Sequence, residues 1–439
     1  MADALAAHAA KRASLVHSLQ AGAGPVALAK ETSNLFRDRA AGPRRRLDVR
    51  GFNQVLRIGE GFVEAEGMIP YEDLTRECLA HGVMPTVVPQ LKTITLGGAV
   101  AGVGIESSSH RHGLVHDGML ELDVLLGDGR VVGCTRDNAH ADLFFGFPNS
   151  YGTLGYALRV KARTIPVRRY VHLTHVPFTD FAELEKILAS GDADFVDGTI
   201  FSPAQMYITL GRFTDSAPYT SDYTYERIYY RSIAQRREDY LTLSDYLWRW
   251  DTDWFWCSKN VYAQNPLIRR IYGRERLGSK TYTKIMRWNS RVGVSKAIER
   301  VLGLHSESVI QDVDIPLERA AEFLDFYARE IGLWPQWICP IGGSSEEFVL
   351  YPVRKGWYVN FGFWDVKRTR EAHPPGYFNR LIEEKVSELG GIKSLYSDSY
   401  FTREDFHRRY GGDAYAALKA KYDPGGAFPR LYEKCVLKQ

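Results

Sequence analysis

Cysteine is scarce in this chain. Cys78, Cys134, Cys257, Cys339 and Cys435 are odd in number and scattered over 439 residues, and no two stand at metal-ligand spacing. That argues against a disulfide framework or a zinc site, predicts no metal, and favours a reducing compartment. Long apolar runs are missing too: none approaches the ~20 residues that cross a bilayer. The opening stretch MADALAAHAAKRASLVHSLQ lacks the basic, apolar and cleavage regions of a secretory signal and reads as a surface helix. An excess of one sign of charge is nearly absent, since 56 Lys and Arg stand against 53 Asp and Glu for a net +3, which gives no electrostatic case for nucleic acid. There is no internal repeat and no low-complexity tract. A cytoplasmic location is expected, with a peripheral contact at the inner membrane face left open.

What remains is an ordinary globular composition, 45% hydrophobic and 25% charged, long enough for two or three domains. The most informative stretch is PQLKTITLGGAVAGVGIESSSHRHG, from Pro89 to Gly113. Gly97, Gly98, Gly102 and Gly104 let backbone approach a ligand closely. Thr93, Thr95, Ser107, Ser108 and Ser109 add hydroxyls. Such a peptide suits a cofactor carrying a pyrophosphate and a flat ring. No Gly-Lys-Ser/Thr follows it and no G-x-G-x-x-G occurs in it, so it is neither a Walker loop nor a Rossmann fingerprint.

Around this stretch the first part alternates strands and short helices. VLRI, Gly59-Glu60-Gly61 and FVEAEG read as a hairpin, as do LELDVLL, Gly127-Asp128-Gly129 and RVVGCT. Tyr71, Leu74, Cys78 and Leu79 stand at helical spacing. YALRVKARTIPV closes this part near Pro166. Beyond Arg168, strands (YVHLTHVPF, FVDGTIFSPAQMYITLGRF, SVIQDVDI, QWICPI, FVLYPV, WYVNFGFW) and helices (FAELEKILAS, LERAAEFLDFYAREIG) suit an antiparallel sheet with helices on one face. An aromatic and basic region fills 219–300, and the tail 376–439 is mainly helical.

The segment TITLGGAVAGVGIESSSHRHGL resembles the flavin-binding core of FAD-linked oxidoreductases of the vanillyl-alcohol oxidase type. GIESSSHRHGL followed by LELDVLLGDGRVVGCT is similar to the Δ24-sterol reductases within that superfamily. NSYGTLGY at 149–156, SVIQDVDIPL at 308–317, LWPQWICPI at 333–341 and DPGGAFPRLYEK at 423–434 agree. LAKETSNLFRDR at 28–39 resembles an actinobacterial branch, the reductases of 10-methyl-branched fatty acid synthesis, which stand beside fatty-acid methyltransferases.

The resemblance implies an α+β protein: an N-terminal helix over 1–24, a PCMH-type FAD-binding domain of two subdomains over 25–167, a substrate domain over 168–375 and a closing helical segment over 376–439. It implies FAD contacts from Thr32, Ser33 and Asn34, with Lys30 supplying charge; from Thr95, Gly97, Gly98, Ala99 and Gly102; from Glu106, Ser107, Ser108, Ser109, His110 and Gly113 beside the ring; and from Gly152, Thr153 and Gly155. The first loop holds no His or Cys, so dissociable FAD is expected, with NADPH as electron donor. The implied reaction reduces an isolated C=C bond of a lipid, best the methylene of a 10-methylene fatty acyl phospholipid, with a functional link to a methyltransferase. A Δ24-type sterol reductase and an oxygen-using alcohol oxidase are the rivals.

An isolated alkene has no carbonyl to polarise, so one route protonates it to a tertiary cation that then receives hydride. The acid must stand within about 3 Å of the carbon it protonates. Candidates are Glu106, His110, Asp312, Tyr396 and Tyr400. His110 is equally a hydrogen-bonded structural histidine. Gln311 and Asp312 point to opposite faces of their strand, so at most one meets the flavin. Trp248, Trp250, Trp254, Phe255 and Trp256 suit an acyl pocket or membrane interface, or a helix–helix core. Arg44, Arg45 and Arg46, with Arg269, Arg270, Arg274 and Arg276, either meet phosphate headgroups or are solvated.

Overall fold

The computed structural model describes residues 2–22, 24–30, 36–37, 44–292, 299, 302–343, 348–353 and 356–439. After the helix Ala2–Gln20, β1 (Val26–Ala29) and β2 (Arg45–Asp48) pair in parallel. The two expected hairpins follow. β3 (Val55–Gly59) and β4 (Phe62–Glu66) turn at Gly61, and β6 (Met119–Leu125) and β7 (Val131–Cys134) turn at Gly129; φ is 74° and 89° at these glycines. β8 (Tyr156–Pro166) lies between the hairpins, giving the order β3-β4-β8-β6-β7, and β5 (Val83–Pro85) pairs with the end of β8. The helix Tyr71–Ala80 buries Tyr71, Leu74 and Cys78.

The second sheet is larger. β9 (Tyr170–Phe178), β10 (Phe195–Ser202), β11 (Gln205–Thr214), β12 (Glu238–Thr242), β13 (His305–Pro316), β14 (Gln336–Gly342), β15 (Trp357–Thr369) and β16 (Ile392–Lys393) run in the order β12-β9-β11-β10-β14-β15-β13-β16. Every pairing in it is antiparallel. Side-chain alternation divides its faces. Val309, Val313, Ile338 and Phe361 pack against the helices Phe181–Ser190, Ala320–Glu330 and Tyr377–Glu388. Trp337, Cys339 and Trp364 point the other way, into the core shared with the first sheet. The fold is therefore α+β, with helices on one face of an antiparallel sheet.

FVLYPV is not a strand. Residues 348–353 form a turn, although Phe348, Leu350, Tyr351 and Val353 are all buried. Pro352 has no N–H to give a ladder, and burial on every side removes the alternation that a sheet face would impose. The Arg44–Arg46 run lies partly within β2, where Arg45 donates to the Leu19 carbonyl at 2.6 Å and so ties the first helix down.

The C-terminal segment is locked onto the first domain by one cation. Lys419 Nζ reaches Thr153 O at 2.6 Å, Asp423 Oδ2 at 2.6 Å and Phe428 O at 2.9 Å, all buried. Removing one partner of a buried pair costs about 3–5 kcal/mol. Lys419→Met is expected to lower unfolding free energy by that order in a denaturant titration, while Lys421→Met, on the exposed face, is expected to leave it within experimental error.

Candidate active site

A cavity of about 310 Å³ lies between the two sheets, within the size range of ligand sites. One wall is the glycine-rich stretch. Thr95 caps the helix Leu96–Gly102, its Oγ1 accepting from Gly98 N at 3.2 Å. The amides of Leu96 and Gly97 donate to Ile69 O and Gly67 O at 3.0 and 2.8 Å. These amides are thus committed within the protein, and the helix start presents its bare Cα surface to the cavity. Gly97 has no room for a side chain, since a Cβ would stand 2.8 Å from Gly67 O.

Thr95, Gly97, Gly98, Ala99, Gly102, Gly152 and Gly155 all line the cavity. Val103, Tyr151, Trp254 and Phe255 line it with φ of 65°, 50°, 43° and 59°. Positive φ on a β-branched or bulky residue is an outlier, and such strain gathers at functional sites. Tyr151 joins the glycine-rich wall to the rest: its OH donates to Gly102 O at 2.8 Å and its N to Ala101 O at 2.8 Å. The Arg37 guanidinium lies 4.7 Å from the Tyr151 ring centroid and donates to Leu395 O at 2.6 Å, leaving Nη2 buried without a partner. Lys30, Arg37, Arg44 and Lys434 put positive charge along this side.

The far end is aromatic and holds one acid. Phe255 stacks on Trp364 with centroids 4.1 Å apart, and Trp337 stands 5.7 Å from Phe255. Asp312 lines this end, while Gln311 on the opposite face donates to Asn379 Oδ1 at 2.7 Å. Asp312 fits because its neighbour in register on β15 is Gly362, where a Cβ would stand 2.6 Å from both Asp312 Oδ1 and the Trp364 ring. Burial pushes the Asp312 carboxyl up to about 8; Tyr396 opposes the shift and Asp314 adds to it. Asp312 Oδ1 has no hydrogen-bond partner. The Tyr396 hydroxyl accepts from Trp364 Nε1 at 2.8 Å.

The serine-rich loop is placed elsewhere. None of Glu106, Ser107, Ser108, Ser109 and His110 lines the cavity. Glu106 Oε1 and Asp197 Oδ2 share Arg249 at 2.9 and 2.8 Å, with all three side chains buried. Asp197 also accepts from the indoles of Trp250 and Trp337 at 3.3 and 3.0 Å. Ser107 bonds Tyr246 at 2.8 Å, Ser108 donates to Thr86 O at 2.7 Å, and Ser109 accepts from Glu106 N at 3.1 Å. The His110 ring nitrogens lie 2.9 and 3.1 Å from Ser107 O and Ala193 O, and burial lowers its pKa. These polar groups are consumed in joining the loop to β10 and to the segment before Trp250. Gly113 ends the helix Ser109–His112 with φ 71°, and Thr153 Oγ1 donates to Ser150 O at 2.8 Å. Tyr400 stands away from the cavity beside Gly376. Thr32, Ser33 and Asn34 lie outside the described residues. The tryptophan patch divides: Trp254 and Phe255 line the cavity, while Trp250 and Trp256 are core. Arg37, Tyr151 and Trp337 carry no sequence signal beyond membership of matched segments, and Gly362 none beyond its place in the strand WYVNFGFW.

A sequence profile described as FAD binding domain matches residues 5–135. Over 403 residues the chain is 31% identical to cytokinin dehydrogenase 7 of Oryza sativa subsp. japonica, covering 83% of this chain and 71% of that one. The chain belongs to the FAD-binding oxidoreductases. It is also 27% identical over 395 residues to the Δ24-sterol reductase of Homo sapiens, covering 85% of this chain and 73% of the relative. With the Pisum sativum Δ24-sterol reductase the identity is 24% over 441 residues, 89% of this chain and 76% of the relative. The chain is thus an FAD-dependent enzyme related to Δ24-sterol reductases, and the cavity fits the cofactor: cations along one side, bare glycine surface on one wall and aromatic rings at the end. Among the described residues no group of side chains is arranged to hold a metal, and no helix is long and apolar enough to cross a membrane.

Asp197→Ala leaves Arg249 half-paired and two indoles unbonded, and is expected to cost about 3–5 kcal/mol in chemical denaturation. Gly362→Ala is expected to leave FAD binding intact while abolishing turnover, because the methyl group displaces Asp312 and Trp364 together. Loss of FAD absorbance in Gly362→Ala would contradict this.

Proposed function

We propose that this enzyme reduces an isolated C=C bond of a lipid, with Asp312 as the proton donor. The observation that carries the reading is a single buried carboxyl, held protonated at neutral pH, among aromatic rings at the end of the cavity. Apolar surroundings that raise a carboxylic acid's pKa suit it to general acid work. Bound FAD, once reduced, supplies the hydride. The protein's part is to deliver a proton from Asp312 to the less substituted alkene carbon, so that the tertiary centre takes the hydride. Tyr396, braced by Trp364, faces the carboxylate left behind. The aromatic walls keep water from that cation.

The methylene of a 10-methylene fatty acyl chain is the substrate we favour, with NADPH as electron source and FAD held without a covalent bond. Dissociable FAD is supported by the cavity lining, which among the described residues contains neither His nor Cys. A Δ24-unsaturated sterol is the second substrate to test, because relatives with that activity in their names align over most of the chain.

The deciding experiment is an anaerobic absorbance titration of the FAD-loaded protein with NADPH. Bleaching, followed by recovery on adding a 10-methylene fatty acyl phospholipid but not its saturated analogue, is the expected result. Recovery with a Δ24-unsaturated sterol alone reassigns the substrate; rapid reoxidation by oxygen alone overturns the reductase reading. For Asp312, turnover is expected to fall as pH rises through about 8, since the protonated form predominates below that value. Asp312→Asn is expected to lower kcat by roughly 100-fold or more with FAD absorbance retained. An unchanged rate and pH profile in Asp312→Asn removes it from the mechanism.

A further inference from the structure

Past the cavity-lining Trp254 and Phe255 and the buried Trp256, Cys257 and Ser258, the chain emerges onto a surface that is both basic and apolar. Residues 262–291 carry eight Lys or Arg and one Glu, in a chain whose net charge is only +3, so the remainder is net acidic; Arg269 among them is buried on Asp253, and Lys280 pairs with Glu72. Within this segment the helix Pro266–Tyr272 turns Leu267 and Ile271, one turn apart, into solvent at 70% and 77% exposure, and Tyr262 just before it is 73% exposed. Trp288, on the amphipathic helix Ser279–Val292, is exposed as well. Soluble proteins rarely group exposed apolar side chains in this way without a partner. Arg270 meets exposed Glu226 at 4.0 Å, and Arg274 meets exposed Asp222 at 2.8 Å while donating to Thr224 Oγ1 at 2.7 Å. Such surface pairs contribute little and exchange readily for another anion. Beside the helix start, a second cavity of about 350 Å³ is lined by Arg227, Arg231, Arg236 and Arg269 together with Glu226 and Pro266, and Arg236 also pairs with Asp239 at 3.3 Å.

We propose that this face docks on an anionic lipid bilayer, with Leu267 and Ile271 entering the boundary between headgroups and acyl chains and the arginine-lined cavity receiving lipid phosphate. Apolar anchors beside clustered basic residues bind the interface by burial and by attraction to anionic headgroups. A second copy of the chain is disfavoured as occupant, because two such faces repel. The face follows the cavity-lining Trp254 and Phe255 closely in the chain, so docking would bring that wall of the cavity near the membrane. The purpose of docking rests on the lipid-reductase reading; the docking itself does not.

The test is flotation of the FAD-loaded protein with vesicles of phosphatidylcholine alone and of phosphatidylcholine mixed with phosphatidylglycerol. Wild type is expected to float only with the mixed vesicles. Leu267→Ser/Ile271→Ser is expected to lose flotation, and each of Arg270→Gln and Arg274→Gln to weaken it roughly fivefold, the equivalent of about 1 kcal/mol per basic residue. FAD absorbance and reduction by NADPH are expected to match wild type in all of them, since none lines the cavity. Failure of wild type to float, equal flotation by the serine variant, binding to inorganic phosphate without vesicles, or a dimer in light scattering that the serine variant converts to monomer would each overturn the proposal. Flotation without turnover on any lipid would instead overturn the reductase reading and leave the docking face standing.

Discussion

Arg249 is the fixed point on which the two halves of the molecule depend. Its buried guanidinium meets Glu106 from the loop after the glycine-rich helix and Asp197 from β10. It also lies 4.0 Å from the Tyr246 ring centroid and donates to Tyr246 O at 2.9 Å. One cation shared by two carboxylates in a dry interior is tolerable only if nearly every lone pair finds a donor. Asp197 meets that demand by accepting two indole N–H groups. The same indoles belong to Trp250 and Trp337, which back and form the aromatic end of the cavity. The ion cluster thus sets the distance between the sheets and, through Trp337, the shape of the site between them.

The cluster also explains what was and was not legible in the sequence. Both Gly-bounded hairpins, the strand Ser308 to Ile315 and the helices behind the second sheet were legible because each follows from local turn chemistry or from a period of two or 3.6. The glycines of 95–102 and 152–155 were legible as cavity wall because bare backbone is needed where a ligand approaches. The loop from Glu106 to His110 looked like more of the same: small, polar and next in order. Polarity in sequence does not say what the polar groups meet. Here most of them bond one another, β10 and the segment 243–250, partners distant in sequence and brought close by the second sheet, while Glu106 Oε2 stays buried without a partner. FVLYPV misled for a related reason, since a run buried on every side reads as a strand until proline denies it a ladder.

Strain is concentrated along the same cavity. Val103 and Tyr151 on one side, and Trp254 and Phe255 on the other, adopt left-handed backbone that a relaxed chain would give to glycine. Each is held by interactions the loop alone does not supply: Tyr151 by two bonds to the glycine-rich helix and a cation over its ring, Phe255 by stacking between Trp250 and Trp364. Loops fixed in this way are costly to rearrange, and the cavity wall is correspondingly preorganised.

Preorganisation would matter most for the proposed reduction, whose route passes through a carbocation. A carboxylate beside the cation would trap it or draw a proton back, so the acid must be neutral before transfer and its conjugate base promptly restrained. Asp312 would meet the first condition by burial, at a point in the sheet where the absent side chain of Gly362 admits it. Tyr396 meets the second by facing the carboxyl with a hydroxyl that Trp364 orients. The flanking rings of Phe255, Trp337 and Trp364 present electron-rich faces where positive charge would develop, an attraction that strengthens as water is excluded. An aspartate placed among tryptophans would be a poor ion-pair site and a poor metal site. It is well suited to giving up one proton to an apolar substrate and recovering it afterwards.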